Sequence, residues 1–196
     1  MSAKITTLIA TLGLSVNAVS ADWIDVDHEV FKLKKSISDT LVSVDVSTYT
    51  EHSLKSISEL LIDTDKICSY TDSCSDLKVV GKTTRNDYLL QITLDTPFPV
   101  QNRESYTRSL SNFTSENQFR LEFTSENLAD IAVRNEALRL PHVSGVWIIN
   151  DLGSKREIIY RSTVDLGGSV PMFITNITAV DAPVNTLSNF LHTLDK

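Results

Sequence analysis

The sequence predicts an antiparallel α+β domain that ends in a long, kinked helix lying on the sheet. Three observations carry this. Most segments alternate apolar and polar residues with a period of two and are separated by short turn-forming stretches, as neighbouring antiparallel strands are. One stretch ahead of most of them, "EHSLKSISELLIDTDKICSYTD", switches to a helical period. At the C-terminus, Phe173, Ile177, Val180, Val184, Leu187, Leu191 and Leu194 are spaced 4, 3, 4, 3, 4, 3, so one apolar stripe keeps phase through the segment. Strands in succession with helices before and after them, rather than between each pair, define the α+β class.

The first 21 residues read as a secretory signal peptide. Lys4 supplies the positive start and Ile5 to Val16 an apolar stretch diluted by Thr6, Thr7 and Thr11. "NAVSA" then offers small residues at −3 and −1 for cleavage after Ala21. The stretch is too short and too polar to span a bilayer; a first helix of the domain is the other reading. The domain itself is expected over residues 22–196.

From there the elements follow in order. Val30 to Lys34 suggests a short strand, with "KLKK" at its solvated edge. In "TLVSVDVSTYT", Val42, Val44 and Val46 point inward from a second strand. Leu54, Ile57, Leu61 and Ile62 share a helical face that Ser53 caps. "DLKVVGK" and "NDYLLQITLD" form a hairpin turned at Thr83–Asn86, with Tyr88, Leu90, Ile92 and Leu94 on one face. Pro97 and Pro99 cannot donate to a ladder, so the strand stops there, and another resumes near Ser105–Phe113. "FTSEN" occurs at 113–117 and again at 123–127, a meander period, with Phe119, Leu121 and Phe123 on one side of the strand between. "GVWII" and "REIIYRSTVD" give two further strands around a turn at Asn150–Lys155. Gly167 and Gly168 break the last strand, Ser169 caps the final helix and Pro171 sits in its first turn. Pro183 falls mid-pattern and bends that helix without ending it, because the stripe continues in phase.

Composition narrows the function. The 196 residues carry a net charge of −7, which becomes −8 once Lys4 leaves with the signal peptide. That balance disfavours nucleic acid, which needs clustered Lys and Arg, and docking on anionic lipid by charge alone. The two cysteines, Cys68 and Cys74, would close a small loop in an oxidising compartment; two free thiols are the alternative, and two thiols without a nearby histidine make a poor zinc site. The sequence contains no G-x-S-x-G, H-E-x-x-H, P-loop or G-x-G-x-x-G motif, so no catalytic residue, metal or cofactor is expected. His28, His52, His142 and His192 are scattered and read as surface residues. Arg134, Arg139 and Arg161 are the cations expected nearest to a cavity, and a buried arginine needs a carboxylate or a polar ligand group.

The order "DW", a strand pair, "SLKSISELLID", the Cys68–Cys74 loop, "PFPVQNRES", "GVWII", "DLGGSVP" and "APVNTLSNFL" resembles the START lipid-transfer domain, especially its small exported bacterial members. The resemblance covers nearly all of residues 22–196. Two departures stand out: Glu104 replaces the usual aspartate after Arg103, and Tyr70 stands where a tryptophan is often found.

The resemblance implies a helix-grip fold, a curved antiparallel sheet wrapped around the kinked C-terminal helix, with one hydrophobic molecule held in a tunnel between them. It implies a lipid, fatty-acyl or sterol-like ligand carried in the periplasm or secreted, with no enzymatic activity, transient membrane contact and a monomeric chain. The lining expected for that tunnel is Tyr88, Leu90, Ile92, Phe119, Leu121, Phe123, Trp147 and Tyr160 from the sheet. From the helix it is Phe173, Ile177, Val180, Val184, Leu187 and Leu191. Cys68, Cys74, Arg103 and Glu104 are expected to be structural, the last two holding the corner after Pro99. The alternative is an enzyme of the wider helix-grip superfamily, of the cyclase or hydrolase type, acting on a hydrophobic substrate.

Overall fold

The computed structural model of the chain describes residues 22–126, 128 and 137–196. The signal-peptide expectation for residues 1–21 and the expectation for Arg134 fall outside these. The strands are β1 (Ile24–Val26), β2 (Lys32–Ser38), β3 (Leu41–Thr50), β4 (Cys74–Thr84), β5 (Asp87–Leu94), β6 (Arg103–Ser115), β7 (Gln118–Ser125), β8 (Leu138–Arg139), β9 (His142–Asp151) and β10 (Arg156–Asp165). They form one open sheet in the order β1-β2-β3-β10-β9-β7-β6-β5-β4, antiparallel throughout, with β8 pairing parallel to β6.

Two short helices, α1 (Leu54–Ile62) and α2 (Ile67–Tyr70), connect β3 to β4. Ser53 caps α1 by accepting a 3.0 Å bond from the Ser56 amide. Leu54, Ile57 and Leu61 bury its apolar face. The Cys68–Cys74 disulfide is formed, and it ties α2 to the start of β4. Within that loop, the Asp72 amide donates to Thr186 Oγ1 at 3.0 Å and the Asp72 carboxylate accepts from Asn185 Nδ2 at 3.1 Å. The disulfide loop is thereby fastened to the C-terminal helix.

That helix runs from Met172 to Leu194 as α3 (Met172–Asn176), a π-helical turn (Ile177–Asp181) and α4 (Ala182–Leu194). The expected bend at Pro183 takes this form. Pro183 has no amide to donate, and the wide turn just before it, closed by the Ala182 amide on the Ile177 carbonyl, accommodates the gap. The N-terminus differs from expectation: Pro171 occupies the cap position with no side-chain bond to the first turn, and Ser169 does not cap it. The first expected strand also lies two residues later, at Lys32–Ser38. It is flanked by β1 as well as β3, so its lysines do not lie along a sheet edge: Lys32 and Lys34 are exposed, and Lys35 is half-buried opposite Val44.

Alternation places one residue in two on the inner face, where the helix packs. Val42, Val44 and Val46 of β3 are at most 2% exposed. The larger apolar cluster joins Val46, Tyr88, Leu90, Phe119, Leu121, Trp147, Ile149 and Ile158 of the sheet to Leu187 and Phe190 of α4 and to α1 and α2. A second, smaller cluster gathers Val42, Val44, Leu166 and Ala179 at the other end of the helix. No helix among the described residues is long and apolar enough to cross a membrane.

Candidate functional site: the pocket beneath the C-terminal helix

Between the sheet and the C-terminal helix lies a pocket of about 280 Å³. Its floor comes from alternate residues of five adjacent strands: Tyr88, Leu90, Ile92 and Leu94 of β5; Arg103, Ser105, Thr107 and Ser109 of β6; Leu121 and Phe123 of β7; Val143 and Trp147 of β9; Tyr160, Ser162 and Val164 of β10. Its roof is the i, i+4 ridge Ile174, Thr178, Ala182 and Thr186, with Ile177 and Pro183 beside it. Leu61, Ile67 and Tyr70 close one side. The exposed residues Ser73, Asp95 and Pro97 mark where the pocket reaches the surface, between the disulfide loop and the loop after β5.

Aromatic rings line the deep end. Trp147 lies 4.5 Å from Tyr160 and 5.1 Å from Phe190, and Tyr70 meets Phe190 edge-on at 5.1 Å. Phe123 stacks toward Tyr160 at 6.3 Å, and it can do so because Gly145 is its cross-strand partner. A Cβ at position 145 would run into the Phe123 ring and the Arg161 carbonyl oxygen.

Burial pushes the Tyr70 phenol well above its usual range, with the neighbouring Tyr88, Tyr160 and Asp63 charges adding to the effect. Tyr88 is pushed up to about 12 by burial, partly offset by a hydrogen bond from Ser109. Burial raises Tyr160 as well, against a bond from Ser162. All three are therefore neutral hydroxyls near pH 7 and do not act as bases; Tyr88 gives its proton to the Leu61 carbonyl at 3.4 Å.

Arg103 and Glu104, adjacent on β6, face opposite ways. Arg103 is 6% exposed and lines the pocket. Its Nε donates to the Leu166 carbonyl at 3.3 Å and its Nη1 to the Gln101 carbonyl. Among the described residues no carboxylate forms an ion pair with it, and burial lowers its pKa. Glu104 points to the outer face and is fully buried. Its Oε1 accepts from Arg139 Nη2 at 3.1 Å and its Oε2 from Gln91 Nε2 at 2.7 Å. Arg139, expected near a cavity, is instead on this outer side, 4.9 Å over the Tyr106 ring. Arg161 also points outward, to Asp45 at 2.7 Å. The corner itself is held by Asn102, which accepts from the Thr96 amide at 3.0 Å and donates to Asp95 at 2.7 Å.

Of the lining expected from sequence, Tyr88, Leu90, Ile92, Leu121, Phe123, Trp147, Tyr160 and Ile177 surround the pocket. Phe119 and Leu187 lie in the filled core, with Val180, Val184 and Leu191 packed against it, and Phe173 is 46% exposed. Residues not foreseen include Tyr70, Ser105, Thr107, Ser109, Ile174, Thr178 and Thr186. A reading of "RESYTRSLS" with strand parity would have put the serines and threonine on one face, but nothing in their type says that face is inward.

No family model matches the chain. It is 24% identical to an uncharacterized protein of Pseudomonas aeruginosa, over 95% of this chain and 94% of the other. Among solved structures, the STAR-related lipid transfer protein of Xanthomonas axonopodis aligns with a TM-score of 0.77 at 18% identity, over 89% of this chain and 99% of that one. Human STARD10 aligns with a TM-score of 0.75 at 14% identity, over 88% and 72%. Human StAR-related lipid transfer protein 5 gives 0.72 at 8%, over 88% and 86%. Likeness at these identities is a likeness of architecture: the chain has the helix-grip fold of START lipid-transfer domains, an open antiparallel sheet closed by its C-terminal helix.

Proposed function

We propose that the protein binds one compact hydrophobic molecule beneath its C-terminal helix and carries it outside the cytoplasm, in the periplasm or as a secreted protein. The observation that carries this reading is the pocket: apolar residues of four strands, β5, β7, β9 and β10, and of the helix are held apart instead of filling the space between them. Apolar area removed from water there contributes about 25 cal/mol per Å² to holding an occupant. At about 280 Å³ the pocket sits just below the range usual for drug-sized ligands, which favours a single-chain or compact ring compound over a two-chain lipid. The names of the structural neighbours, lipid transfer proteins of bacterial and human origin, support a lipid-like occupant. The neutral phenols and Arg103 act as donors that orient a polar end, so the site binds and does not catalyse. The disulfide and the secretory-type N-terminus support export.

Native mass spectrometry of protein secreted to a bacterial periplasm and purified without detergent tests the reading. A one-to-one adduct that releases a lipid-like molecule on organic extraction is expected. A bare mass that persists after incubation with membrane lipid extract would overturn it.

A further inference from the structure

The inner face of β6 breaks the rule that its neighbours obey. On β5 the inward residues are Tyr88, Leu90 and Ile92, and on β7 they are Leu121 and Phe123. Between them β6 presents Ser105, Thr107 and Ser109, only 5%, 4% and 5% exposed and all bordering the pocket. Their cross-strand partners on β5 are Ile92, Leu90 and Tyr88. The strand therefore runs as a polar seam between two apolar walls.

These hydroxyls are not needed to hold the sheet. Ser105 Oγ and Thr107 Oγ1 lie 3.1 Å apart and satisfy mainly each other. One O–H donates within that pair, which leaves the second donor and further lone pairs directed at the cavity. Ser109 stands opposite Tyr88, whose hydroxyl donates to the Leu61 carbonyl at 3.4 Å. The Tyr70 hydroxyl, on a residue 4% exposed that closes the side of the pocket, has no hydrogen-bond partner among the described residues. Ser162 and Thr178 add hydroxyl-bearing side chains on the β10 and helix sides. A buried hydroxyl without its full complement of partners is costly, so a pocket for plain hydrocarbon is better lined by Val or Ala at these positions.

We propose that the pocket selects an oxygen-bearing ligand: a small single-chain apolar molecule with hydroxyl or carbonyl groups along the edge that meets β6, in preference to an unsubstituted chain of the same length. This rests on the carrier reading above and names the chemistry that the carrier distinguishes. An oxygenated chain supplies the missing partners; an unsubstituted chain strips water from the seam and replaces it with nothing.

The test is competition between dodecanoic acid and a series of monohydroxy dodecanoic acids with the hydroxyl moved along the chain. Each displaces a one-to-one fluorescent reporter, 1-anilinonaphthalene-8-sulfonate, from the wild type and from a Ser105→Ala/Thr107→Val variant. At least one hydroxy acid should bind about tenfold more tightly than dodecanoic acid, the worth of one good hydrogen bond in a desolvated site. The preference should vanish in the variant while the melting temperature of the empty protein stays level or rises, which a structural role for the seam would not allow. If the double variant fails to fold, Thr107→Val, which keeps the side-chain shape, should reduce the preference by itself. If dodecanoic acid binds but no hydroxy acid exceeds it, or if the preference survives in the variants, the selection is overturned while the carrier reading stands. If neither reporter nor any acid binds, the carrier reading falls and the selection with it.

Discussion

Replacing Glu104 with alanine is the sharpest probe of the buried polar contacts on the outer face of β6. Glu104 is fully buried and accepts from both Arg139 and Gln91. Removing one member of a buried, hydrogen-bonded charge pair costs about 3–5 kcal/mol, because the donors desolvated around it lose the charge they were arranged for. The Arg139 side chain keeps 19% of its surface exposed, so water recovers part of the loss and the lower end applies. For a chain of this size about 3 kcal/mol corresponds to a fall in melting temperature of roughly 6–12 °C. The assay is thermal unfolding by circular dichroism on the disulfide-intact protein. Glu104→Gln, which keeps an acceptor, should lose less. Adding Arg139→Met to Glu104→Ala should cost less than the sum of the single changes, because the two side chains contact each other directly and their contact is lost only once. A fall of under about 2 °C for Glu104→Ala would refute the reasoning, since a fully buried carboxylate holding two donors cannot be removed so cheaply.

Four further outcomes follow from the geometry. Tyr88, pushed up to about 12, stays protonated in the folded chain where an unfolded tyrosine, near 10, ionises; its contribution is therefore complete below about pH 10 and is lost as pH climbs toward 12. Melting temperatures taken across pH 8–12 should show that decline, Tyr88→Phe should lessen it while Tyr70 and Tyr160 supply the remainder, and equal slopes in both proteins would contradict the assignment. Gly145→Ala should destabilise by about 1–3 kcal/mol through collision with Phe123 and the Arg161 carbonyl, and Phe123→Leu should restore only part of the loss, measured by urea unfolding. Cys68→Ser should cost about 2 kcal/mol for so short a loop, and amide exchange should quicken in the Asp72–Thr186 contact as well as in the loop; unchanged exchange there would separate the disulfide from the helix. Arg103→Met should weaken dodecanoate binding by about tenfold and leave dodecanol unaffected, since only the acid brings a charge to the guanidinium; an equal effect on both would give Arg103 a purely structural role.

The strands were legible because their inner residues are apolar: Val42, Val44 and Val46, or Phe119, Leu121 and Phe123, declare a period of two on sight. β6 could be placed but not oriented, since Ser105, Thr107 and Ser109 look like outward residues and their inward burial depends on strands distant in sequence. Arg161 shows the limit of parity in another way. Opposition to Tyr160 was readable, but which of the two pointed inward required the neighbouring Asp45 and Trp147.

The C-terminal stripe was legible as a helix and misleading as a site. The most hydrophobic ridge, ending in Val184, Leu187 and Leu191, packs on the solid core, while the pocket lies under the smaller and more polar ridge Ile174, Thr178, Ala182 and Thr186. Hydrophobicity reports what is packed tightly; a void is bordered by whatever leaves room. β1, α2 and β8 are too short to carry a periodic signal of their own.

The two apolar clusters described above meet the pocket from opposite ends, Leu90, Trp147 and Leu121 on one side and Val164 and Leu166 on the other. The empty chain thus has two partly independent cores joined by backbone and by one helix whose ladder is interrupted in the middle. An occupant touches both. It would serve as the keystone that makes them a single cooperative unit: the loaded protein should unfold in one sharp step, while the empty one could loosen at the Leu166 end first. Release of cargo and partial melting would then be two descriptions of the same event.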